Sequence, residues 1–318
     1  MTEVVALGEL LIDFATLAAD EAGYPTMKAN AGGAPGNYLA ALCEYGHKTA
    51  FLGKVGMDAF GKMILGTLSS RGIDVSGVVS DPNCFTTLAF VTFDEHGDRT
   101  FSFARKPGAD IMLTEGEVKK ELIDEAKVFH FGTLSLTDSP VRETTKAMVA
   151  YAKEQGKLIS FDPNLRMSLW DSAERAKQSI LWGLSMSDVV KISDEEIEFL
   201  WNCTPEEGID RLLHDYGVSL VLATLGPKGS IVANGRGRVF CGTPKVTVKD
   251  TTGAGDIFGG SAMSRLLELD TAPGELTEDQ LRQIGTFAGT AASLSTQYMG
   301  GIPSIRPRSE VEAVLNGY

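Results

Sequence analysis

Apolar runs rich in β-branched and aromatic residues recur at nearly constant spacing through the middle of the chain. The runs begin at Val128, Leu158, Val189 and Leu220. Successive starts are 30, 31 and 31 residues apart, which is the length of a strand plus a crossover helix. Similar runs at residues 4–8 and 49–55 are expected to join them. The pattern predicts an α/β protein whose central sheet is mostly parallel, with helices on both faces.

A different pattern precedes this core. Residues 87–93 alternate between apolar and polar side chains, residues 94–99 are polar, and residues 100–105 alternate again. Alternation over two runs joined by a polar turn predicts a β-hairpin. No internal repeat, low-complexity tract or Pro/Ser-rich linker divides the chain. Residues 1–318 are therefore expected to form a single α/β domain that carries this hairpin.

Two glycine-rich turns each precede an apolar segment of helical spacing. GGAPGN occupies residues 32–37, and DTTGAGDIFGG occupies residues 250–260. The small residues Gly253, Ala254 and Gly255 would let an anion approach the free N–H groups at the start of the following helix. Asp256 would repel a phosphate docked there, so we expect it to accept a proton from the group that attacks the phosphate. The alternative is that it only caps the helix.

In this order, the two turns resemble the motifs of the ribokinase-like, or PfkB, family of carbohydrate kinases, and the resemblance covers essentially the whole chain. It implies a ribokinase-like three-layer fold with a small antiparallel β lid, formed here by segments near 14–29 and 86–106. The lid would cover the sugar and mediate a homodimer. The resemblance also implies ATP and Mg²⁺, with Asp256 as general base and residues 253–255 as the anion hole.

The same resemblance locates the substrate. It assigns the sugar to Asp13, Gly32, Gly33, Asn37, Arg105 and Arg166. Carboxylates, amides and backbone N–H groups are suitable partners for sugar hydroxyls. The string GELLIDF places Asp13 at the carboxyl end of the first core strand, where open α/β sheets bind ligands. Leu11 stands where ribokinases carry Asn, which makes ribose a poorer candidate.

The strings GELLID, FARKPGAD, FDPNLR and KISDEEIEFL are most similar to those of fructokinases. We therefore expect fructose as substrate, with transfer of the γ-phosphate to a primary hydroxyl to give fructose 6-phosphate. The alternative in the same family is 2-keto-3-deoxygluconate, because two arginines would suit its carboxylate. Kinases for that acid tend to carry tyrosines in the lid. This chain instead has Phe90, Phe93, Phe101 and Phe103.

The nucleotide and metal sites also follow from the resemblance. It assigns ATP to Lys191, Thr224, Gly226, Lys228, Gly229 and Gly289, the last of these on a helix expected over residues 287–301. Glu196 would hold Mg²⁺ through water, since Mg²⁺ keeps several waters in most protein sites. Ser193 replaces the Asn that usually stands three residues before this Glu. A K⁺ beside the anion hole would be held by Asp250, Thr252, Ser295, Gly300 and Ser304.

The composition of the chain disfavours several functional classes of protein. A net charge of −13 disfavours nucleic-acid binding, which requires a basic surface. No apolar run of about 18 residues and no basic, apolar N-terminal signal is present, which disfavours membrane insertion and secretion. The four cysteines lack metal-like spacing, so we expect reduced thiols in the cytoplasm.

Two alternatives come from other functional classes. An NAD-dependent oxidoreductase is disfavoured, because residues 4–9 are followed by LLIDF rather than by G-x-G-x-x-G. A non-catalytic sugar-binding regulator is disfavoured by the intact residues 253–256, although a fold by itself does not establish activity.

Overall fold

The computed structural model describes residues 2–93 and 99–317. Its nine-stranded main sheet has the order β13-β12-β11-β10-β9-β8-β1-β4-β5. The strands of this sheet are β1 (Val4–Leu7), β4 (Thr49–Gly56), β5 (Asp74–Asp81), β8 (Val128–Gly132), β9 (Leu158–Asp162), β10 (Val189–Ser193), β11 (Leu220–Thr224), β12 (Ser230–Asn234) and β13 (Gly237–Cys241). All neighbouring pairs from β5 to β11 are parallel, and β12 and β13 extend one edge in antiparallel pairing.

Helices cover both faces of this sheet. They are α1 (Ala34–Glu44), α2 (Ala59–Ser70), α3 (Lys120–Glu125), α4 (Val141–Glu154), α5 (Ala173–Met186), α6 (Asp194–Trp201), α7 (Pro205–His214), α8 (Ala254–Leu269), α9 (Glu278–Ser295) and α10 (Arg308–Asn316). Alternate strand residues point to opposite faces. On β1, Val4 and Ala6 therefore join the apolar cluster under α1, α8 and α9, while Val5 and Leu7 join the cluster under α4 and α5. The predicted three-layer arrangement is confirmed.

The lid is a second sheet of four strands with the order β3-β2-β6-β7. Its strands are β2 (Leu11–Ala19), β3 (Pro25–Gly32), β6 (Thr87–Phe93) and β7 (Arg99–Ala104). The two outer pairs are antiparallel, but the inner pair β2–β6 is parallel. The lid is therefore antiparallel only in part, because its two hairpins arrive from separate places in the chain. The predicted turn at residues 94–98 lies outside the described residues.

Several boundaries differ from the predictions. Asp13 lies within β2 and not at the carboxyl end of β1, since Gly8 to Leu10 already turn the chain into the lid. The helix predicted at residues 287–301 begins at Glu278 and ends at Ser295. Strand β5 was not predicted, because it carries polar residues at alternating and partly exposed positions. Among the described residues, no helix has the length and apolar character needed to cross a membrane.

Candidate active site

The predicted anion hole lies at the N-terminus of α8. Gly253 precedes the helix with φ 76°, a left-handed conformation that favours glycine. The N–H groups of Gly253, Gly255 and Asp256 have no hydrogen-bond acceptor among the described residues, whereas Ala254 N–H donates to the carbonyl of Thr251 at 3.2 Å. Three backbone donors therefore face outward at the positive end of the helix dipole, where an anion binds most favourably.

Asp256 lies next to these donors in the first turn of α8. Its Oδ2 accepts a hydrogen bond from Asn37 Nδ2 at 2.8 Å, and the side chain is half-buried. Burial raises the pKa of Asp256, while the Asn37 bond and the cations Lys191 and Arg166 act in the opposite direction. A partly desolvated carboxylate with a raised pKa is a better proton acceptor than one in water.

Asp13 is on the lid strand β2. Desolvation raises its pKa to about 7, and the charges of Asp256 and Asp250 add to the shift. The Arg166 guanidinium is the cation that opposes this shift. Gly32 is on β3 and pairs with Leu11 of β2. A Cβ at position 32 would collide with the Asp13 carboxylate. The glycine turn at residues 32–33 thus makes room for Asp13.

A small cavity separates the lid from the loop that follows α9. It is lined by Asp13, Ala15, Thr16, Asn30, Val91, Asp250, Thr252, Met299, Gly300 and Gly301. Asn30 was not predicted as a site residue, although it lies directly opposite Asp13 on β3 and is only 8% exposed. No motif in the sequence marked it, because its position depends on the strand register.

The lid phenylalanines Phe90 and Phe103 lie on opposite faces of the lid sheet. Phe90 pairs with Phe14 and stacks on its ring at a centroid distance of 5.2 Å. Both belong to the face opposite Asp13, where Phe60 of α2 packs on Phe14. Phe103 lies on the Asp13 face, since it pairs with Ala89, which pairs with Asp13. Phe90 therefore faces away from Asp13. The side chains of Phe93 and Phe101 lie outside the described part.

The two predicted arginines have different surroundings. Arg166 is half-buried and acts electrostatically on both Asp13 and Asp256. Arg105 is 4% exposed and forms a salt bridge from Nη2 to Asp110 at 2.7 Å. It also donates to Thr137 Oγ1 and to the carbonyl of Leu134. Most of the donors of Arg105 therefore bind the protein, and its role as a sugar contact stays a prediction.

Lys191 connects the anion hole to the main sheet. A Cβ added to Gly255 would lie 3.0 Å from Lys191 Nζ, so the ammonium group is beside the free N–H donors. Lys191 Nζ pairs with Asp162 Oδ2 at 3.2 Å. Burial by itself would lower the pKa of Lys191, but Asp162, Glu196 and Asp256 outweigh burial and raise it. Sequence reasoning missed Asp162, although its place at the end of β9 is the position that marks ligand sites in such sheets.

Glu196 completes the capping box of α6, which begins at Ser193. Its Oε2 accepts from Ser193 N–H at 2.9 Å, and its Oε1 accepts from Leu165 N–H at 2.9 Å. The described residues contain no group of three or more His, Cys, Asp or Glu placed to hold a metal ion. Glu196 is thus a well-oriented carboxylate, which fits a Mg²⁺ that reaches the site on a nucleotide and keeps its waters.

Four of the five residues predicted to hold K⁺ lie on two segments that Asp250 joins, and the fifth, Ser295, is the last residue of α9. Its Oδ1 accepts from the N–H and the hydroxyl of Thr252, and its Oδ2 accepts from Gly300 N–H at 2.8 Å. Ser304 Oγ donates to the carbonyl of Gly301. Ser295 ends α9, one residue before Thr296, whose carbonyl accepts from Asp250 N–H. The five residues are thus neighbours in an oxygen-rich region beside the anion hole.

The predicted nucleotide loop follows β11. Thr224 ends that strand, Gly226 and Lys228 form an exposed turn, and a Cβ on Gly229 would collide with the carbonyl of Cys241. Gly289 lies further along the same side, where its carbonyl accepts from Thr243 Oγ1 at 3.1 Å. Helix α9 packs on β12 and β13, so the loop and Gly289 flank one end of the sheet.

A carboxylate and free N–H donors at one helix N-terminus, with a lysine from β10 beside them, are the groups that a phosphotransferase acting on a hydroxyl group uses. The model of the pfkB family of carbohydrate kinases matches residues 1–308. The chain belongs to the pfkB family. This confirms the predicted family and the predicted enzyme class, and it leaves the oxidoreductase alternative without support.

Individual relatives agree with this assignment. Fructokinase-2 of Solanum lycopersicum is 38% identical over 320 residues, which cover 99% of this chain and 96% of that protein. The fructokinase of Xylella fastidiosa with bound ATP matches with a TM-score of 0.90 and 27% identity, and covers 100% of this chain and 99% of that one. The fructokinase of Vibrio cholerae in its fructose-, ADP- and calcium-bound form matches with a TM-score of 0.88 and 30% identity, over 98% of each chain. A double mutant of the latter was solved with fructose, ADP and potassium.

Proposed function

We propose that this protein is an ATP-dependent fructokinase that phosphorylates the primary 6-hydroxyl of fructose. The observation that carries the proposal is the position of Asp256, whose carboxylate lies beside the three free N–H donors of α8. A proton acceptor and an anion site only one helical turn apart are what phosphoryl transfer to a hydroxyl requires. The choice of fructose is supported by fructokinases among the relatives on both sequence and structure.

In the proposed reaction, the γ-phosphate of ATP lies against the N–H groups of Gly253, Gly255 and Asp256, and Lys191 neutralises part of its charge. The sugar lies below the lid with Asp13 as hydrogen-bond acceptor and Arg166 as donor. Asp256 accepts the proton of the attacking hydroxyl while the γ-phosphorus–oxygen bond to ADP breaks and the new bond to the sugar oxygen forms. Positioning and charge neutralisation supply most of the acceleration in such transfers.

Two cations fit the residues present. A Mg²⁺ bound to the nucleotide would supply charge neutralisation on the phosphates, and Glu196 would orient one of its waters. A K⁺ would bind the oxygen-rich region around Asp250, where it would hold the loops at residues 250–252 and 300–304 in the form that opens the anion hole. The bound calcium and potassium of the Vibrio cholerae structures support these assignments.

2-Keto-3-deoxygluconate remains the second candidate, and Arg166 is the observation that favours it. A guanidinium near Asp13 could bind a carboxylate as well as a hydroxyl. The test is ADP release measured with fructose, 2-keto-3-deoxygluconate and ribose under equal conditions. We expect the highest kcat/KM with fructose. Efficient turnover of the acid together with negligible fructose activity would overturn the substrate and leave the kinase site intact.

We further propose that residues 1–318 form one domain and that two copies associate through the lid. Large apolar side chains are exposed on and near the lid: Leu17 on β2, Tyr24 directly before β3, Phe85 shortly before β6, and Met57 between β4 and α2. Such a patch supports a protein interface. Light scattering coupled to gel filtration should give twice the monomer mass, and a Tyr24→Glu variant should shift it towards the monomer. A cytoplasmic location is also proposed, supported by four unpaired cysteines.

A further inference from the structure

Asn37 lies at the meeting point of three glycine-containing turns. It belongs to the first turn of α1, directly after the turn at residues 32–33, and is 4% exposed. Its Nδ2 donates to Asp256 Oδ2 at 2.8 Å, although 219 residues separate the two in the chain. A Cβ on Gly253 would lie 3.1 Å from Asn37 Nδ2, and one on Gly301 would collide with the Asn37 amide. Three turns thus leave room for this side chain.

The Asn37 amide is held by one polar contact. Its Oδ1 is buried and has no hydrogen-bond partner in the described part of the chain. The only bond of its Nδ2 that the structure shows is the one to Asp256. The polar contact that the structure shows for this buried amide is therefore the one from Nδ2 to the Asp256 carboxylate. A hydrogen bond to a carboxylate is stronger than one between neutral groups.

The two oxygens of Asp256 consequently differ. Oδ2 is occupied by Asn37, and Oδ1 has no partner among the residues that the structure describes. We propose that Asn37 is a positioning residue for the general base: it holds Oδ2, directs Oδ1 towards the sugar hydroxyl and keeps the carboxylate ionised. This inference rests on the proposed role of Asp256. It differs from the predicted role of Asn37 as a sugar contact, which acts on substrate affinity alone.

The charged surroundings of Asp256 show why such a residue is needed. The cations Lys191 and Arg166 face it, as do the carboxylates Glu196, Asp162 and Asp13. Burial and these carboxylates favour the protonated form, which cannot accept a proton. The Asn37 bond favours the ionised form and is the largest of the influences that lower this pKa. Its loss should therefore raise the pKa of Asp256.

The test compares pH profiles of kcat/KM, which report the ionisation of the free enzyme. In Asn37→Ala we expect the acidic limb to move up by about one pH unit or more, as expected for loss of a hydrogen bond to a charged group. Activity should fall more at pH 6 than at pH 9. In Asn37→Asp the side chain keeps its shape, but a second carboxylate faces Asp256, so the limb should move further in the same direction.

Asn30→Ala is the matched control, because it removes a buried amide that lines the cavity beside Asp13, and the only hydrogen bond shown for this amide among the described residues goes to the carbonyl of Lys28 and not to Asp256. It should change KM without moving the limb. Thermal unfolding of each variant shows whether it folds. If Asn37→Ala raises KM by one factor at every pH and leaves the limb unmoved, Asn37 is only a sugar contact and the proposal is overturned.

A second measurement does not depend on turnover or on the identity of the sugar. The Asp256 carboxyl is titrated by NMR in protein labelled with ¹³C-aspartate, and Asp256→Asn identifies its signal. An upward shift of its midpoint in Asn37→Ala supports the proposal, and an unchanged midpoint refutes it. If the Asp256 midpoint rises in Asn37→Ala but wild-type protein does not phosphorylate fructose, the proposed substrate is contradicted. The positioning role of Asn37 is supported all the same.

Discussion

Arg105 permits a decisive substitution, because the sequence and the structure give it different roles. The sequence predicts a sugar contact. The structure shows a guanidinium that joins the end of lid strand β7 to Asp110 and to the loop after β8, through Thr137 and Leu134. Asp110 is 2% exposed and also accepts from Thr87, the first residue of lid strand β6. Asp110 therefore links the start of β6 and the end of β7 to the core, through Thr87 and Arg105.

The structural role of Arg105 predicts a loss of folding stability in Arg105→Ala. The sugar-contact role predicts a smaller loss, in the free energy of sugar binding. Removing one partner of a buried ion pair costs about 3–5 kcal/mol of folding stability, because the other charge stays buried without compensation. Losing a hydrogen bond from a charged donor to a sugar hydroxyl costs about 1.5–3 kcal/mol of binding free energy and no stability. For Arg105→Ala we therefore expect a loss of about 3–5 kcal/mol in the free energy of unfolding.

The assay is urea denaturation without ligands, followed by kcat/KM for fructose at low and high salt. Arg166→Ala is the matched control, since Arg166 is half-buried and faces Asp13. It should lose fructose activity with a smaller loss of stability. Removing Asp110 together with Arg105 should recover part of the stability, because no unpaired carboxylate then remains. Weaker fructose use in Arg105→Ala with unchanged unfolding would refute this reasoning and restore the sugar contact.

Three further outcomes are expected. Asp256→Asn should lower kcat by roughly 100-fold or more while sugar affinity is kept, and a loss of less than about tenfold would contradict its role as general base. Gly255→Val places a side chain 3.0 Å from Lys191 Nζ, so the KM for ATP should rise while thermal unfolding is unchanged; an unaltered ATP titration would place the phosphate elsewhere. Asp13 has a folded pKa of about 7, above its ordinary value, so its contribution to stability is present below about pH 4 and is lost as pH rises through 7. Asp13→Asn should therefore be more stable than wild type at pH 8 and lose that advantage at pH 4, as denaturant titrations at both pH values would show.

The sequence by itself determined most strands of the main sheet and the residues of the predicted anion hole. Strands β8 to β11 were predicted because buried parallel strands are continuous apolar runs, and a crossover helix sets their spacing. The turn at residues 253–256 was predicted because a free helix N-terminus and a following carboxylate are adjacent in the chain. Both signals are local, so a single sequence contains them.

Only the tertiary structure decided which distant groups meet. The bond from Asn37 to Asp256, the pair of Lys191 with Asp162 and the burial of Arg105 against Asp110 depend on how strands and helices pack. The lid shows the same limit: alternation predicted its hairpin, but the parallel β2–β6 pairing decided that Phe90 faces away from Asp13. The alternation of side chains along a strand determines which residues share a face. Which other residues that face contacts is determined only by the pairing with a neighbouring strand.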